Sequence, residues 1–122
     1  MKILIADDDP IFMSLVVDIL ADNGDEVLPA ENGRIAWELL QAEGADVAVL
    51  DVNMPEMDGS ELIKLIREDD RFKRLPVLVL ATGFTAEDLV QQYDPSITDF
   101  LTKPFEISEL IGKVAEMQGR IT

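Results

Sequence analysis

Charged residues follow three separate strand-like segments of this sequence, each at the point where the segment ends. The segments span residues 3–6, 47–50 and 100–102. Three aspartates at 7–9 follow the first, Asp51 follows the second and Lys103 follows the third. Clustered carboxylates raise one another's proton affinity and repel unless a cation neutralises them. Folding alone gives no reason for this arrangement, so we predict a site for a divalent cation and a phosphoryl group.

Oxygen ligands of this kind suit Mg²⁺, which keeps several waters and takes one or two carboxylates together with phosphate oxygens. We expect Asp8 and Asp51 to bind the ion directly and Asp7 to act through water. The backbone carbonyl of Asn53, two residues after Asp51, is a further candidate ligand. An aspartate carboxylate can attack a phosphoryl donor and form an aspartyl phosphate. Asp51 is the candidate nucleophile, and Lys103 would hold a phosphoryl oxygen while the metal offsets the charge of the transferring group.

Short apolar segments alternate with amphipathic segments along the chain, as in β–α units built around a parallel sheet. The predicted strands span residues 2–6, 26–29, 47–50, 77–81 and 99–101. Five strands and five helices in strict alternation imply a doubly wound open sheet. In such sheets ligands bind beyond the carboxyl ends of the strands. That rule independently points to Asp7, Asp8, Asp51 and Lys103.

The helix boundaries are predicted from residues that favour helix starts and stops. The predicted helices run from Pro10 to the Asn23-Gly24 stop, from about Asn32 to Gly44, onward from Asp58-Gly59, over about residues 85–92, and through the apolar positions from Ile107 to Val114. Ser60 is the candidate N-cap of the third helix.

Length and composition limit the class of protein. A chain of 122 residues fits one domain, residues 1–122, and 48% hydrophobic residues argue against disorder. The formal charge of −15 makes direct nucleic-acid binding an unlikely function and favours metal ions and basic partner surfaces. The sequence contains no cysteine and no histidine, which excludes disulfides, thiol catalysis and a Ser-His-Asp triad. No apolar stretch approaches a membrane span, and we expect a cytoplasmic protein with no membrane partner.

Four segments in order give the chain a clear resemblance. They are Ile3-Leu4-Ile5-Ala6-Asp7-Asp8-Asp9-Pro10, Leu50-Asp51-Val52-Asn53-Met54-Pro55-Glu56-Met57-Asp58-Gly59, Leu75-Pro76-Val77, and Phe100-Leu101-Thr102-Lys103-Pro104-Phe105. Over essentially its whole length the chain resembles a response regulator receiver domain, the CheY-like phosphoacceptor domain of two-component systems.

The resemblance implies a fold and a role for each matching residue. The fold would be a flavodoxin-like α/β domain, with a five-stranded parallel sheet in the order 2-1-3-4-5 and five helices. Asp51 would be the phosphoacceptor, Asp7 and Asp8 the acidic pair, Lys103 the phosphate-contacting lysine and Phe100 the aromatic switch residue. A cis peptide is expected between Lys103 and Pro104.

One position departs from the family pattern. The family usually has Ser or Thr at the end of the fourth strand, where its hydroxyl binds the phosphoryl group. That position is Ala81 here, and Thr82 follows it. Strand alternation would turn Thr82 to the other face unless the strand ends or bulges there. Our hypothesis is that the chain is still phosphorylated, but that the coupling of phosphorylation to Phe100 is weaker or uses different contacts.

By resemblance, the function is a phosphorylation-controlled switch in signal transduction. The chain would take a phosphoryl group from a histidine kinase or histidine phosphotransfer protein in a Mg²⁺-dependent reaction. It would then bind an output protein or a fused output domain. It would catalyse only its own phosphorylation and dephosphorylation, and so would not be an enzyme with an external substrate.

Two alternative functions stay open. A phosphohydrolase would also use Asp51 as nucleophile, although Asn53 stands where a D-x-D pattern would place its second aspartate. The second alternative is a phosphorylation-independent docking or dimerisation module. Ala81 favours it, because the family usually has a hydroxyl residue at this position. Taken singly, the aspartates 7–9 are also explained as acidic residues at a helix start, and Lys103 as a solvated lysine. The single-residue explanations fail jointly, because they require several strand-end coincidences at once.

Overall fold

A computed structural model of the chain describes residues 1–82 and 85–119. Strands and helices alternate in the order β1 (Lys2–Ala6), α1 (Pro10–Asp22), β2 (Glu26–Ala30), α2 (Gly33–Glu43), β3 (Val47–Asp51), α3 (Gly59–Glu68), β4 (Val77–Thr82), α4 (Thr85–Val90), β5 (Thr98–Lys103) and α5 (Ile107–Gly119). The five strands form one sheet in the order β2-β1-β3-β4-β5, and every neighbouring pair is parallel. The doubly wound α/β fold and its predicted strand order are confirmed.

Each face of the sheet packs against its own set of helices. On the face called here the α1/α5 face, buried side chains of β1, β3, β4 and β5 pack against α1 and α5. On the opposite face, the α2–α4 face, side chains of the same sheet pack against α2, α3 and α4. All five residues of β3 are buried, as expected for a central strand of a parallel sheet that is covered on both faces.

Side-chain alternation sends successive residues of each strand to opposite faces. Ile3, Ile5, Val47 and Val49 belong to the α1/α5 cluster, whereas Leu4, Ala48 and Leu50 belong to the α2–α4 cluster. Asp51 is the next odd-numbered residue of β3, and Asp7 directly follows the end of β1. The period of two that builds the core therefore also places both aspartates on the α1/α5 side where the strands end.

Most predicted helix ends are confirmed. The Asp9 carboxylate caps α1 by accepting hydrogen bonds from the backbone N–H groups of Ile11 and Phe12, at 3.0 and 3.2 Å. Gly24 follows the helix at φ 90°, a conformation that glycine adopts without a Cβ clash. Asn32 caps α2 through Ile35 N–H at 2.8 Å, and Gly44 ends that helix.

Two helix details differ from the prediction. The N-cap of α3 is Asp58, not Ser60: Asp58 Oδ1 accepts from Glu61 N–H at 2.9 Å and from the Ser60 hydroxyl at 2.7 Å. Ser60 is the second helical residue, so its backbone already has helical geometry. The helix α4 ends at Val90 instead of near residue 92. In the turn after it the hydrogen bonds join residues three apart instead of four, such as Tyr93 N–H to the Val90 carbonyl at 3.0 Å.

Among the residues that the structure describes, no helix combines the length and the apolar character that a bilayer span requires.

Candidate functional site

Two neighbouring strands bring Asp7 and Asp51 together. In the β1–β3 pair, Ala6 lies opposite Leu50, so the next residues, Asp7 and Asp51, lie at the same height at the carboxyl edge of the sheet. Asp7 is 2% and Asp51 3% exposed. Both carboxylates are thus almost fully buried, at the carboxyl edge of the sheet beside the hydrophobic core.

Asp8 joins this pair from the solvent side. One carboxylate oxygen from each of Asp7, Asp8 and Asp51 lies within 4.8 Å of the others. The three aspartates among the four predicted metal ligands are therefore brought together. Burial raises the pKa of Asp7, and the negative charge of Asp51 raises it further, although a hydrogen bond from Asp9 N–H at 2.9 Å lowers it. A hard divalent cation fits this set of donors, because its charge would offset both the burial and the repulsion.

Lys103 reaches the same point from the far edge of the sheet. It ends β5, two strand spacings from β3, a separation of about 10 Å across β4. Its Nζ lies 3.2 Å from Asp51 Oδ2 and 3.7 Å from Asp7 Oδ2. The long lysine side chain thus spans β4 and places the only positive charge among these four side chains against the most buried carboxylates.

Asn53 lies beside Asp51 in the loop that follows β3. Its backbone N–H donates to Asp51 Oδ1 at 3.2 Å. The loop is held by the bond from Val52 N–H to the Leu80 carbonyl and by the bond from Gly59 N–H to the Val52 carbonyl, both at 3.0 Å. A Cβ on Gly59 would lie 2.4 Å from the Asp51 carbonyl oxygen, so only glycine permits this close approach. The role of the Asn53 carbonyl as a ligand stays a prediction.

Contacts with α2 that the sequence did not predict hold the same loop. The Gly33 N–H donates to the Met57 carbonyl at 3.0 Å, and Arg34 Nε lies 2.7 Å from Glu56 Oε2. Glu56 has a φ of 66°, which is unusual for a residue with a side chain. Its neighbours are joined by a bond from Met57 N–H to the Pro55 carbonyl at 2.7 Å. The sequence alone does not predict the left-handed conformation of Glu56. Its partner Arg34 is 22 positions away, and only the structure shows that the two side chains pair.

Two of the three predicted switch residues lie on one face of the sheet, and Thr82 lies apart from them. Ala81 is 1% exposed and belongs to the α2–α4 cluster, and Phe100 packs half-buried against the same cluster. Thr82 is exposed and lies opposite Lys103 in the β4–β5 pair. The predicted cis peptide between Lys103 and Pro104 is present.

Comparison with known proteins gives a consistent result. Residues 3–115 match the family described as "Response regulator receiver domain". The chemotaxis protein CheY1 of Helicobacter pylori is 35% identical over 122 residues, which cover 98% of each chain. The receiver domain of the Francisella response regulator 1452 superposes with a TM-score of 0.86 at 31% identity, covering 99% of this chain and 98% of that one. The chemotaxis response regulator CheY4 of Vibrio cholerae gives a TM-score of 0.85 at 32% identity, over 95% and 97% of the two chains.

Proposed function

We propose that this chain, which belongs to the response regulator receiver family, accepts a phosphoryl group on Asp51 and thereby controls a partner in cytoplasmic two-component signalling. On this proposal, residues 1–122 form one receiver domain. The observation that carries the proposal is the Asp51 carboxylate beside Asp7 and Asp8, with Lys103 Nζ 3.2 Å away. These are the groups that an aspartate phosphoacceptor requires: a nucleophile, a set of metal ligands and a cation for the phosphoryl oxygens.

The proposed reaction is a direct transfer from a phosphohistidine of a histidine kinase or phosphotransfer protein. An Asp51 carboxylate oxygen attacks phosphorus, an O–P bond forms, and the N–P bond of the donor breaks. The imidazole leaves with the electron pair of that bond. Lys103 holds a phosphoryl oxygen that gains charge in the transition state. Asp7, Asp8, Asp51 and the Asn53 carbonyl would hold Mg²⁺, whose charge offsets that of the transferring group.

Hydrolysis of the aspartyl phosphate returns the protein to its starting state, with water as the acceptor. The chain therefore acts only on its own Asp51 and has no external substrate. The proposed output is a change in the binding surface for an output protein or a fused output domain. Ala81, Thr82 and Phe100 are the proposed switch positions, with coupling to Phe100 weakened because Ala81 has no hydroxyl.

Close to Asp8 the chain has an exposed apolar surface that a donor protein could contact. Ile11 and Leu15 are 74% and 51% exposed on α1, the helix that begins directly after the acidic residues. Large exposed apolar side chains beside a reactive group favour protein contact. This surface supports the proposal that a protein, and not only a small phosphodonor, delivers the phosphoryl group.

The test is labelling by acetyl phosphate, followed by intact mass spectrometry of the parent protein and of Asp51→Asn. We expect the parent to gain one phosphoryl group when Mg²⁺ is present and Asp51→Asn to gain none. If the parent is neither labelled nor able to bind beryllofluoride, the result would support the phosphorylation-independent docking module instead. Steady turnover of phosphomonoesters would instead identify a phosphohydrolase.

A further inference from the structure

Thr82 lies on the same side of the sheet as Asp51 and Lys103. Leu78 and Leu80 of β4 are buried in the α1/α5 cluster, and Thr82 is the next residue in that alternation. Lys103 continues the same face of β5 after Leu101. Ala81 continues the opposite face, where Val77 and Val79 contact the α2–α4 helices. The threonine hydroxyl and the alanine methyl group at the end of β4 are therefore on different faces.

Strand register fixes the height of Thr82 relative to the site. Asp51 lies opposite Leu80, and Thr82 lies opposite Lys103. Thr82 is thus about 6.6 Å, or two residues, beyond the level of Asp51 along the strand direction. It also stands on β4, the strand between those of Asp51 and Lys103. A phosphoryl group that is bonded to Asp51 and contacts Lys103 lies next to this position.

Thr82 and Lys103 line one cavity of about 350 Å³ together with Asp7, Phe12 and Phe105. Asp51 is not part of that lining. Thr82 is exposed at this end of β4. The hydroxyl is therefore available to a ligand that enters the cavity beside Lys103.

We infer that the Thr82 hydroxyl donates a hydrogen bond to a phosphoryl oxygen on Asp51, on the Lys103 side of the group. This inference rests on the proposed phosphorylation of Asp51. It assigns a phosphate-contacting residue that the motif comparison leaves without a role. It also places that contact on the α1/α5 face, whereas Phe100 packs on the α2–α4 face. Phosphoryl binding is thereby separated from the aromatic switch residue.

Beryllofluoride with Mg²⁺ is the probe, and its dissociation constant is measured by NMR titration. Thr82→Val removes the hydroxyl and keeps the shape of the side chain, while Thr82→Ser keeps the hydroxyl. Because hydrogen bonds to charged groups are among the stronger ones, we expect about tenfold or greater weakening in Thr82→Val. We expect Thr82→Ser to remain within about threefold of the parent on the same basis.

Thr102→Val is the matched control, since Thr102 is an exposed threonine at the end of the neighbouring strand, opposite Ala81. Its affinity should equal that of the parent. Equal affinities for the parent and Thr82→Val would overturn the inference, as would weakening confined to Thr102→Val. A parent that neither binds the probe nor labels at Asp51 would refute the proposed function itself, and this inference with it.

Discussion

Asp7 carries the clearest electrostatic consequence of the site. Its carboxylate is almost fully buried beside Asp51, and burial is the main reason that its pKa lies above the ordinary value of 3.8. A raised pKa in the folded state means that the charged form opposes folding. The resulting destabilisation is absent below the ordinary pKa and grows as the pH rises through the raised value. The destabilisation is fully present above the raised pKa.

Asp7→Asn should therefore stabilise the metal-free protein. We expect a gain on the order of 1 kcal/mol in the free energy of unfolding at neutral pH, which disappears at acid pH. Urea denaturation in EDTA at several pH values measures it. Asp18→Asn removes an equal charge from an exposed position on α1 and should give no comparable pH-dependent gain. A destabilised Asp7→Asn at neutral pH would refute the repulsive arrangement.

Gly59 tests the packing that holds Asp51. An alanine Cβ at this position would overlap the Asp51 carbonyl oxygen and lie 2.9 Å from Val52 Cα. Gly59→Ala should cost about 1–3 kcal/mol in urea denaturation and weaken Mg²⁺ binding, since the backbone of Asp51 must move. Gly112→Ala in α5 is the control, because nothing lies within 4 Å of its added Cβ. It should raise stability by about 0.5–1 kcal/mol. Equal effects of the two substitutions would contradict this account.

Among the helices, α3 is attached to the far end of the sheet by one half-buried side chain. Arg67 donates to the carbonyls of Lys73, Leu75 and Ile97 and to the Thr98 hydroxyl, with its shortest bond 2.6 Å to Leu75. Burial lowers the pKa of Arg67 to about 10. A planar group with five donors is suited to binding several carbonyls at once. Arg67 therefore joins α3 to the start of β5.

Arg67→Met should destabilise the fold by about 3 kcal/mol, because it removes the donor to the buried Leu75 carbonyl and to the Thr98 hydroxyl. Arg67→Lys should recover only part of the loss, since one ammonium cannot reach all four acceptors. The matched control is Arg71→Lys, an exposed arginine paired with Asp69, which should change stability by less than about 0.5 kcal/mol. Chemical denaturation compares all three, and a loss below 1 kcal/mol in Arg67→Met would be the contrary result.

The elements themselves could be predicted well from local patterns. Buried strands such as β3 are continuous apolar runs, and caps such as Asp9 and Asn32 act on neighbours within three residues. Interactions between distant residues could not be predicted in this way. The Arg67 contact with Thr98 spans 31 positions, and the Arg34–Glu56 pair joins α2 to a loop 22 positions away. The N-cap of α3 was misplaced because Asp58 and Ser60 are both good capping residues, and only backbone geometry separates them.

The candidate site was predictable for a physical reason. In a parallel sheet all strand ends with the same polarity meet at one edge, so charges that end three strands must converge there. The face taken by Thr82 was not settled by this rule, because it depends on whether β4 continues through residue 82. The strand does continue, with Thr82 paired to Lys103, and alternation then decides the outcome.

The chain as a whole carries a formal charge of −15, so repulsion among acidic groups opposes its compact state. Added KCl should raise the melting temperature because salt screens this repulsion. Mg²⁺ at equal ionic strength should raise it by a further ~2–5 °C through binding at the acidic cluster. Differential scanning calorimetry of the parent and Asp51→Asn measures both terms. The additional effect of Mg²⁺ should be much smaller in Asp51→Asn, and an undiminished effect would place the bound ion elsewhere.

The most direct test of the central claim is to locate the phosphoryl group on the chain. The protein is incubated with acetyl phosphate, the aspartyl phosphate is trapped by borohydride reduction, and the modified residue is identified by peptide mass spectrometry. We expect modification at residue 51 alone, dependent on Mg²⁺ and abolished by EDTA. Modification at another aspartate, or equal modification without the metal, would contradict it.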